Sequence, residues 1–405
     1  MTQYNARTER AFLRDVVVIG AGPAGALTAG RLAAQGIDVL VLEEHSVVGR
    51  PVHCTGLLGA EAFSEFDLPR ELILGRAEAA CFWGATGDSV TVRSGQVQAT
   101  VIDRADLDAS LMTRAEQAGA ELWLNSRVES IDVRPREVRV AIRGGSVPVS
   151  ARACVLACGA SYRFHRQLGL GVPEVFLQSA QLETPFPEAS ADIEVRFGRD
   201  IAPAGFAWLV PFRRDGAPHA RVGLMSQTRS RERFTAFLDQ LCARADVDRA
   251  AIGAPRLKIL PLGPVPRTYA SRVLAVGDAA GLVKPTTGGG IYYGLVSGEI
   301  AAEVLGAALA RDRLDQRTLS RYERRWRDRL GPEIRVGLAF RRIVTRLNDE
   351  SIDALIELAR VNGIANVLQQ HASFNWHGKA AMALLADASF RKIVFRSWRS
   401  SANLV

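Results

Sequence analysis

The 405-residue chain lacks most features that would place it outside a reducing interior. Its start, MTQYNARTERAFLRD, is polar and has no apolar core of a signal peptide. No uninterrupted apolar run approaches the roughly 18–20 residues that cross a bilayer. Cysteine is scarce. Cys54, Cys81, Cys154, Cys158 and Cys242 are odd in number and form no CxxC pair. That disfavours a disulfide framework, a zinc ribbon and a cysteine-ligated iron–sulfur cluster. No metal site is expected, and the reading is a cytoplasmic protein. Repeats, low-complexity segments and nucleic-acid fold motifs are also missing, so no nucleic-acid partner is expected.

What is present suits an α/β enzyme. Hydrophobic residues make up 48% of the chain, and 36 Gly with 17 Pro is ordinary for that class. The net charge of +8 is uneven, with twelve arginines against five acids between Arg311 and Arg346. A solvated helix face with intrahelical ion pairs accounts for such a run, and so does an anionic membrane surface.

The N-terminal segment reads strand, glycine turn, helix, strand. DVVVIG (15–20) and IDVLVLEE (37–44) have the continuous apolar character of a parallel sheet covered on both faces. A helix is predicted to start near Asp103, with strands at ELWLN and SVPVSARACVLACG after it. From 174 to 225, short alternating runs such as DIEVRFG, FAWLVPF and ARVGLM predict an antiparallel sheet. The fold class expected is α/β: a Rossmann-like nucleotide-binding domain (10–70, 100–165, 255–310), an interleaved antiparallel-sheet substrate domain (71–99, 166–254) and a helical, basic C-terminal region (311–405).

GAGPAG at Gly20–Gly25 follows a buried strand and opens a helix. Gly20 permits the tight turn, Gly22 lets a pyrophosphate reach the backbone, and Gly25 lets helix and strand pack closely. Pro23 and Ala24 lie at the helix start, and Glu43 ends the next strand, where a carboxylate can bond ribose hydroxyls and disfavours a 2′-phosphate. Much later, VGDAAGLVKPTTGGGIYYGL places Gly277 and Asp278 at the carboxyl end of another buried strand. From Thr286 to Gly290 the backbone is free to lie against a flat ligand, and a helix beginning at Ile291 turns its positive end toward it.

These stretches together resemble the flavoprotein fold shared with aromatic hydroxylases, and within it the geranylgeranyl reductase family. VGRPVHCTGLL and AGFAWLVPF carry the resemblance to prenyl reductases in particular. It implies FAD bound by Gly20, Gly22, Pro23, Ala24, Gly25, Glu43, Arg50, Arg104, Gly277, Asp278, Gly288, Gly289, Gly290 and Ile291. It also implies a prenyl channel walled by Phe206, Trp208 and Pro211. Cys54 matches a loop cysteine beside the flavin. His53 and Cys54 are the candidate proton relay, although a lone cysteine also serves packing, and the other four read as small buried hydrophobes. Two departures stand out: Cys158 occupies the place of the wider fold's usual aspartate, and the loop continues Cys54-Thr55-Gly56.

The reaction implied is saturation of isolated double bonds in a geranylgeranyl-type chain. A single dinucleotide fingerprint leaves NAD(P)H as a transient donor, or reduced ferredoxin as an electron-donor protein. The expected partners are a hydrophobic prenyl substrate and an anionic inner-membrane surface for a peripheral protein. The alternative is an FAD-dependent monooxygenase of an aromatic or lipophilic substrate.

Overall fold

The computed structural model describes residues 13–94, 96–187, 192–361 and 373–402; the other positions of the ranges above lie outside the described residues. Eight strands form a mixed sheet. Its parallel core runs Val273–Ala275, Val149–Leu156, Arg14–Ile19, Val39–Leu42, Glu121–Trp123. Val16, Val17 and Val18 are fully buried, as expected of a strand covered on both faces. An antiparallel hairpin, Val128–Val133 and Val138–Ile142, extends from Val149–Leu156.

The helix Arg104–Gln117 starts where its capping chemistry dictates: the Asp103 carboxylate accepts from the backbone N–H of Ala105 and Asp106. The helices Pro23–Ala33 and Ile291–Ala310 pack closely through small residues. A Cβ on Gly298 would lie 2.8 Å from the Ala24 carbonyl oxygen, and Thr28 Oγ1 donates to Gly298 O at 3.2 Å. Ile291–Ala310 comes nearest to an apolar span among the described helices. Its 20 residues are long and apolar enough to cross a membrane, with a mean hydropathy of 1.3. The fold instead buries it, and its Glu299 and Glu303 pair with Arg31 and Arg325.

The second layer is a seven-stranded sheet in the order Arg256–Pro261, Phe176–Pro185, Ala217–Ser226, Phe206–Arg214, Ile193–Arg196, Ala79–Trp83, Ser89–Arg93. All neighbours are antiparallel except Ile193–Arg196 against Ala79–Trp83. Arg256–Pro261 thus belongs to this layer and not to the parallel sheet. The arginine-rich segment is the helix Gln316–Val344. Its apolar stripe (Leu319, Tyr322, Trp326, Leu330, Ile334) is buried, with Tyr322 Oη donating to Ala275 O and Trp326 Nε1 to Thr268 Oγ1. Several of its arginines form ion pairs, as in Arg327–Glu323 one turn apart and Arg329–Glu65 across the fold.

Candidate active site

A cavity of about 1230 Å³ runs between the two sheets and into the C-terminal helices. The glycine turn forms one end. Gly20 has φ +105°, and a Cβ there would meet the Ala157 carbonyl oxygen at 2.5 Å. At Gly25 a Cβ would lie 2.1 Å from the Gly20 carbonyl oxygen. Gly25 therefore works behind the wall, setting the distance between helix and strand. Gly22 differs, because a Cβ there would meet no atom of the described residues within 4 Å. It faces open cavity with extended backbone (φ −68°, ψ 178°), and Pro23 opens the helix behind it.

Glu43 lines this end. Its Oε2 accepts from the Ala21 N–H at 2.9 Å, and its Oε1 accepts from the His45 N–H at 3.0 Å. Besides any ribose contact, this carboxylate locks the turn. Arg50 lies exposed on the rim. Arg104 makes a two-pronged pair with Asp108 at 2.5 and 2.9 Å, yet its buried Nε–H has no partner among the described residues. Burial pushes Asp108 up to about 6, with Arg104 opposing. A buried, unpaired guanidinium donor and an open glycine beside the same cavity fit the pyrophosphate of a dinucleotide.

The His53–Gly56 loop crosses the cavity next to this end. Cys54 Sγ accepts from the Gly56 N–H at 3.4 Å, and Thr55 Oγ1 donates to Gln181 Oε1 at 2.9 Å. The fully buried Arg221 clamps the loop, its Nη1 donating to Thr55 O (2.7 Å) and Ile102 O (2.8 Å) while Nε pairs with Glu183 at 2.9 Å. Gly56 is required, because it has φ +68° and a Cβ would lie 2.3 Å from Arg221 Nη1. Burial, then the positive fields of Lys258 and Arg256, hold His53 below its ordinary pKa. It is neutral at pH 7, so it can pass a proton but stores none.

Asp278 follows its strand as expected, and its Oδ2 pairs with Lys258 Nζ at 3.2 Å. The three consecutive glycines have a reason beyond leaving a face for a ligand. A Cβ at Gly289 would lie 2.8 Å from Lys284 Cε, and one at Gly290 would lie 2.5 Å from Asp278 Oδ1; Gly288 has φ +70°. The loop folds around its own charged neighbours while lining the cavity with Gly277 and Ile291.

Lys284 and His377 were not foreseen. Two of the chain's four lysines, Lys258 and Lys284, line the cavity, and that scarcity was the available signal. Lys284 is only 4% exposed; its Nζ donates to Phe374 O at 2.8 Å and sits 3.8 Å from the Phe374 ring centroid. Burial lowers it to about 7. His377 Nδ1 lies 2.5 Å from Thr286 Oγ1, and burial followed by Lys284 lowers it to about 3. Segment 373–377 thus closes over the glycine loop.

The far wall is aromatic. Phe82 stacks on Phe197 (6.5 Å between centroids), Phe197 meets Phe206 edge-on (6.0 Å), and Phe206 meets Trp208 (5.8 Å). Gly223 makes room for Trp208, since a Cβ there would lie 2.4 Å from its ring. Pro211 is a correction. Alternation along Phe206–Arg214 puts Phe206, Trp208 and Val210 on the cavity wall, and Pro211 falls on the opposite face with Ala207 and Leu209. Cys81 and Cys158 are only half-buried, whereas Cys154 and Cys242 are buried; Cys158 Sγ donates to Ser161 O at 3.3 Å.

A family model described as lycopene cyclase protein matches residues 15–358. A protein named digeranylgeranylglycerophospholipid reductase 2 from Methanothermobacter thermautotrophicus is 32% identical over 351 residues, 84% of this chain and 90% of its own. The like-named protein of Methanopyrus kandleri is 32% identical over 364 residues, 85% of this chain and 89% of its own. Among solved structures, a geranylgeranyl bacteriochlorophyll reductase-like protein from Thermoplasma acidophilum superposes with a TM-score of 0.80 at 22% identity, over 95% of this chain and 98% of that one. The halogenase PltM in complex with phloroglucinol and FAD gives 0.68 at 18% identity, over 97% and 93%. At those identities the structures speak for the fold alone, an FAD-binding flavoprotein fold. With relatives at 32% identity matched along almost their whole length, and a family model covering most of its residues, the chain belongs to the geranylgeranyl reductase family of FAD-dependent flavoproteins.

Proposed function

We propose that the chain is an FAD-dependent reductase that saturates isolated carbon–carbon double bonds of a geranylgeranyl-type polyprenyl chain. One observation carries this reading: a single cavity of about 1230 Å³ joins a dinucleotide-type glycine turn to a long aromatic and aliphatic wall. FAD would be held by the Gly20–Gly25 turn, Glu43, Arg50, Arg104 and the Gly277–Asp278 and Gly288–Ile291 segments. Bound FAD, in its reduced form, supplies the hydride.

The chain's own residues do the rest. An unactivated alkene has no carbonyl to polarise it, so alignment in a dry channel must supply much of the rate. Phe206 and Trp208 orient the chain and exclude water. In this reading Cys54 Sγ gives a proton to the alkene carbon that does not take the hydride, and His53 relays its replacement. Electrons would come from NAD(P)H bound transiently or from a reduced ferredoxin, since one dinucleotide fingerprint is visible.

The experiment reduces the holoenzyme anaerobically, offers geranylgeranyl diphosphate, a prenylated ether lipid and a menaquinone, and reads products by mass spectrometry. Gains in steps of two hydrogens are expected on at least one. Cys54→Ala should keep FAD and lose roughly a hundredfold or more in rate, the usual worth of a general acid. No gain on any substrate, with oxygen-dependent NAD(P)H consumption and hydroxylated product, would move the assignment to the monooxygenase.

The site of action would be the cytoplasmic face of an anionic membrane. Met382, Phe395 and Trp398 are 56%, 60% and 40% exposed, and Arg391 and Lys392 lie on the same helix as the last two. Co-sedimentation with anionic liposomes should weaken as salt rises. Equal recovery on neutral vesicles would refute the electrostatic part of this docking.

A further inference from the structure

The buried arginines around the cavity are not equivalent. Arg104 carries its own carboxylate, Asp108, and Arg221 carries Glu183. Arg341, near the end of the helix Gln316–Val344, is 9% exposed, lines the cavity and has no ion pair among the described residues. Its one hydrogen bond there runs from Nη2 to the carbonyl of Ala204. Ala204 holds that carbonyl in place with φ +57°, a conformation a non-glycine residue adopts only when its surroundings enforce it.

The neighbours of Arg341 do not supply the missing charge. Phe340 and Val344 flank it on the helix, and Ala204, Gly205 and Phe206 face the same cavity. Arg199 reaches this end too, with its Nε donating to Leu347 O at 3.2 Å and its Nη2 to Arg346 O at 3.4 Å. The nearby Asp349 carboxylate is taken up by the Arg199 backbone N–H at 2.8 Å. Burial alone lowers Arg341 to about 10, with no acid opposing it. A guanidinium held in an apolar cavity without a counter-ion costs stability unless something anionic arrives to pair with it.

We propose that Arg341 is an anion subsite that pairs with the phosphate of the substrate's polar end, fixing the polyprenyl chain against the Phe82–Trp208 wall. The inference rests on the prenyl-reductase reading and deepens it: it names the residue that would tell a phosphate-headed prenyl substrate from a neutral one. A prenyl diphosphate and a prenylated ether lipid phosphate share that chemistry. A guanidinium suits either, because its planar fork matches two phosphate oxygens at once.

The test uses the oxidised FAD holoenzyme, in which no reduction occurs, and measures dissociation constants by fluorescence quenching. Four ligands are compared: geranylgeranyl diphosphate, geranylgeraniol, a prenylated glycerol-ether phosphate and the same ether without phosphate. In the parent protein at least one phosphate-bearing ligand should bind about 10- to 100-fold more tightly than its neutral counterpart, the worth of hydrogen bonds to a charged group. Arg341→Met should erase that preference and leave neutral affinity within about threefold, and Arg341→Lys should restore part of it. The pair showing the preference identifies which phosphate is bound. Equal affinity for charged and neutral ligands in the parent would overturn the subsite. So would an Arg341→Met variant that weakens both alike, since that marks a residue that only braces Ala204. Binding of none of the four would instead overturn the prenyl reading beneath it.

Discussion

Gly22→Ala should give a folded, soluble protein that has lost its grip on FAD, whereas Gly25→Ala should fail to reach the native fold. The two glycines are three residues apart in one turn, and their surroundings are opposite. An added methyl at Gly22 enters open cavity, and its backbone angles suit alanine. Nothing in the protein resists it, so the loss falls on a ligand that approaches the main chain there. A methyl in that space should cost about 1–3 kcal/mol, or ten- to a hundredfold in FAD affinity. At Gly25 the methyl would lie 2.1 Å from one carbonyl oxygen and 2.9 Å from the Ala157 methyl. Neither can move without separating helix from sheet, and the cost should exceed the ~3 kcal/mol typical of overpacking. Far-UV circular dichroism and the ratio of flavin to protein absorbance would check both. An apoprotein-free, fully flavinated Gly22→Ala would disprove the assignment of that space to the cofactor.

The second large effect belongs to Arg221→Met, which should destabilise the protein by about 2–5 kcal/mol, because the carbonyls of Thr55 and Ile102 lose a fully buried donor at roughly 1–3 kcal/mol each. The side chain is 1% exposed and its guanidinium serves three acceptors: Glu183 and the carbonyls of Thr55 and Ile102. Methionine fills a similar volume and satisfies none of them. The chain Asp103–Arg214–Glu183–Arg221 would end in a buried gap. Denaturant midpoints report the loss, and a change below about 1 kcal/mol would refute the clamp. Acid adds an independent reading. Burial would raise the Glu183 pKa, but hydrogen bonds from Arg214 and Arg221 hold it below the ordinary value. Its contribution is complete above the unfolded pKa of about 4.3 and is lost as pH falls through the lower folded value. The variant should therefore be less sensitive to acid in that window than the parent.

Local chemistry was legible in the sequence, and long-range chemistry was not. The glycine turn, the Asp103 cap, Asp278 at a strand end and the helix at Ile291 all depend on residues within a few positions of one another. Arg221 could not be read, because its partners Thr55 and Ile102 come from segments whose meeting depends on the whole fold. Lys284 is tied to Phe374 across 90 residues for the same reason. Pro211 failed through parity: FAWLVPF is apolar at every position, so no alternation tells one face from the other. The helix Ile291–Ala310 does not read as an apolar span in the sequence because its two glutamates interrupt the run while leaving its mean hydropathy high.

The close fit between Pro23–Ala33 and Ile291–Ala310 also bears on how the protein is made. The two helices touch backbone to backbone through Ala24, Thr28 and Gly298, with some 270 residues between donor and acceptor. During synthesis the N-terminal turn leaves the ribosome long before the helix that covers it. Its small-residue face, with Ala24 and Thr28 that end buried, must meanwhile stay wet or be shielded by a chaperone. FAD capture at this turn is accordingly expected late in biogenesis, after translation past about residue 310.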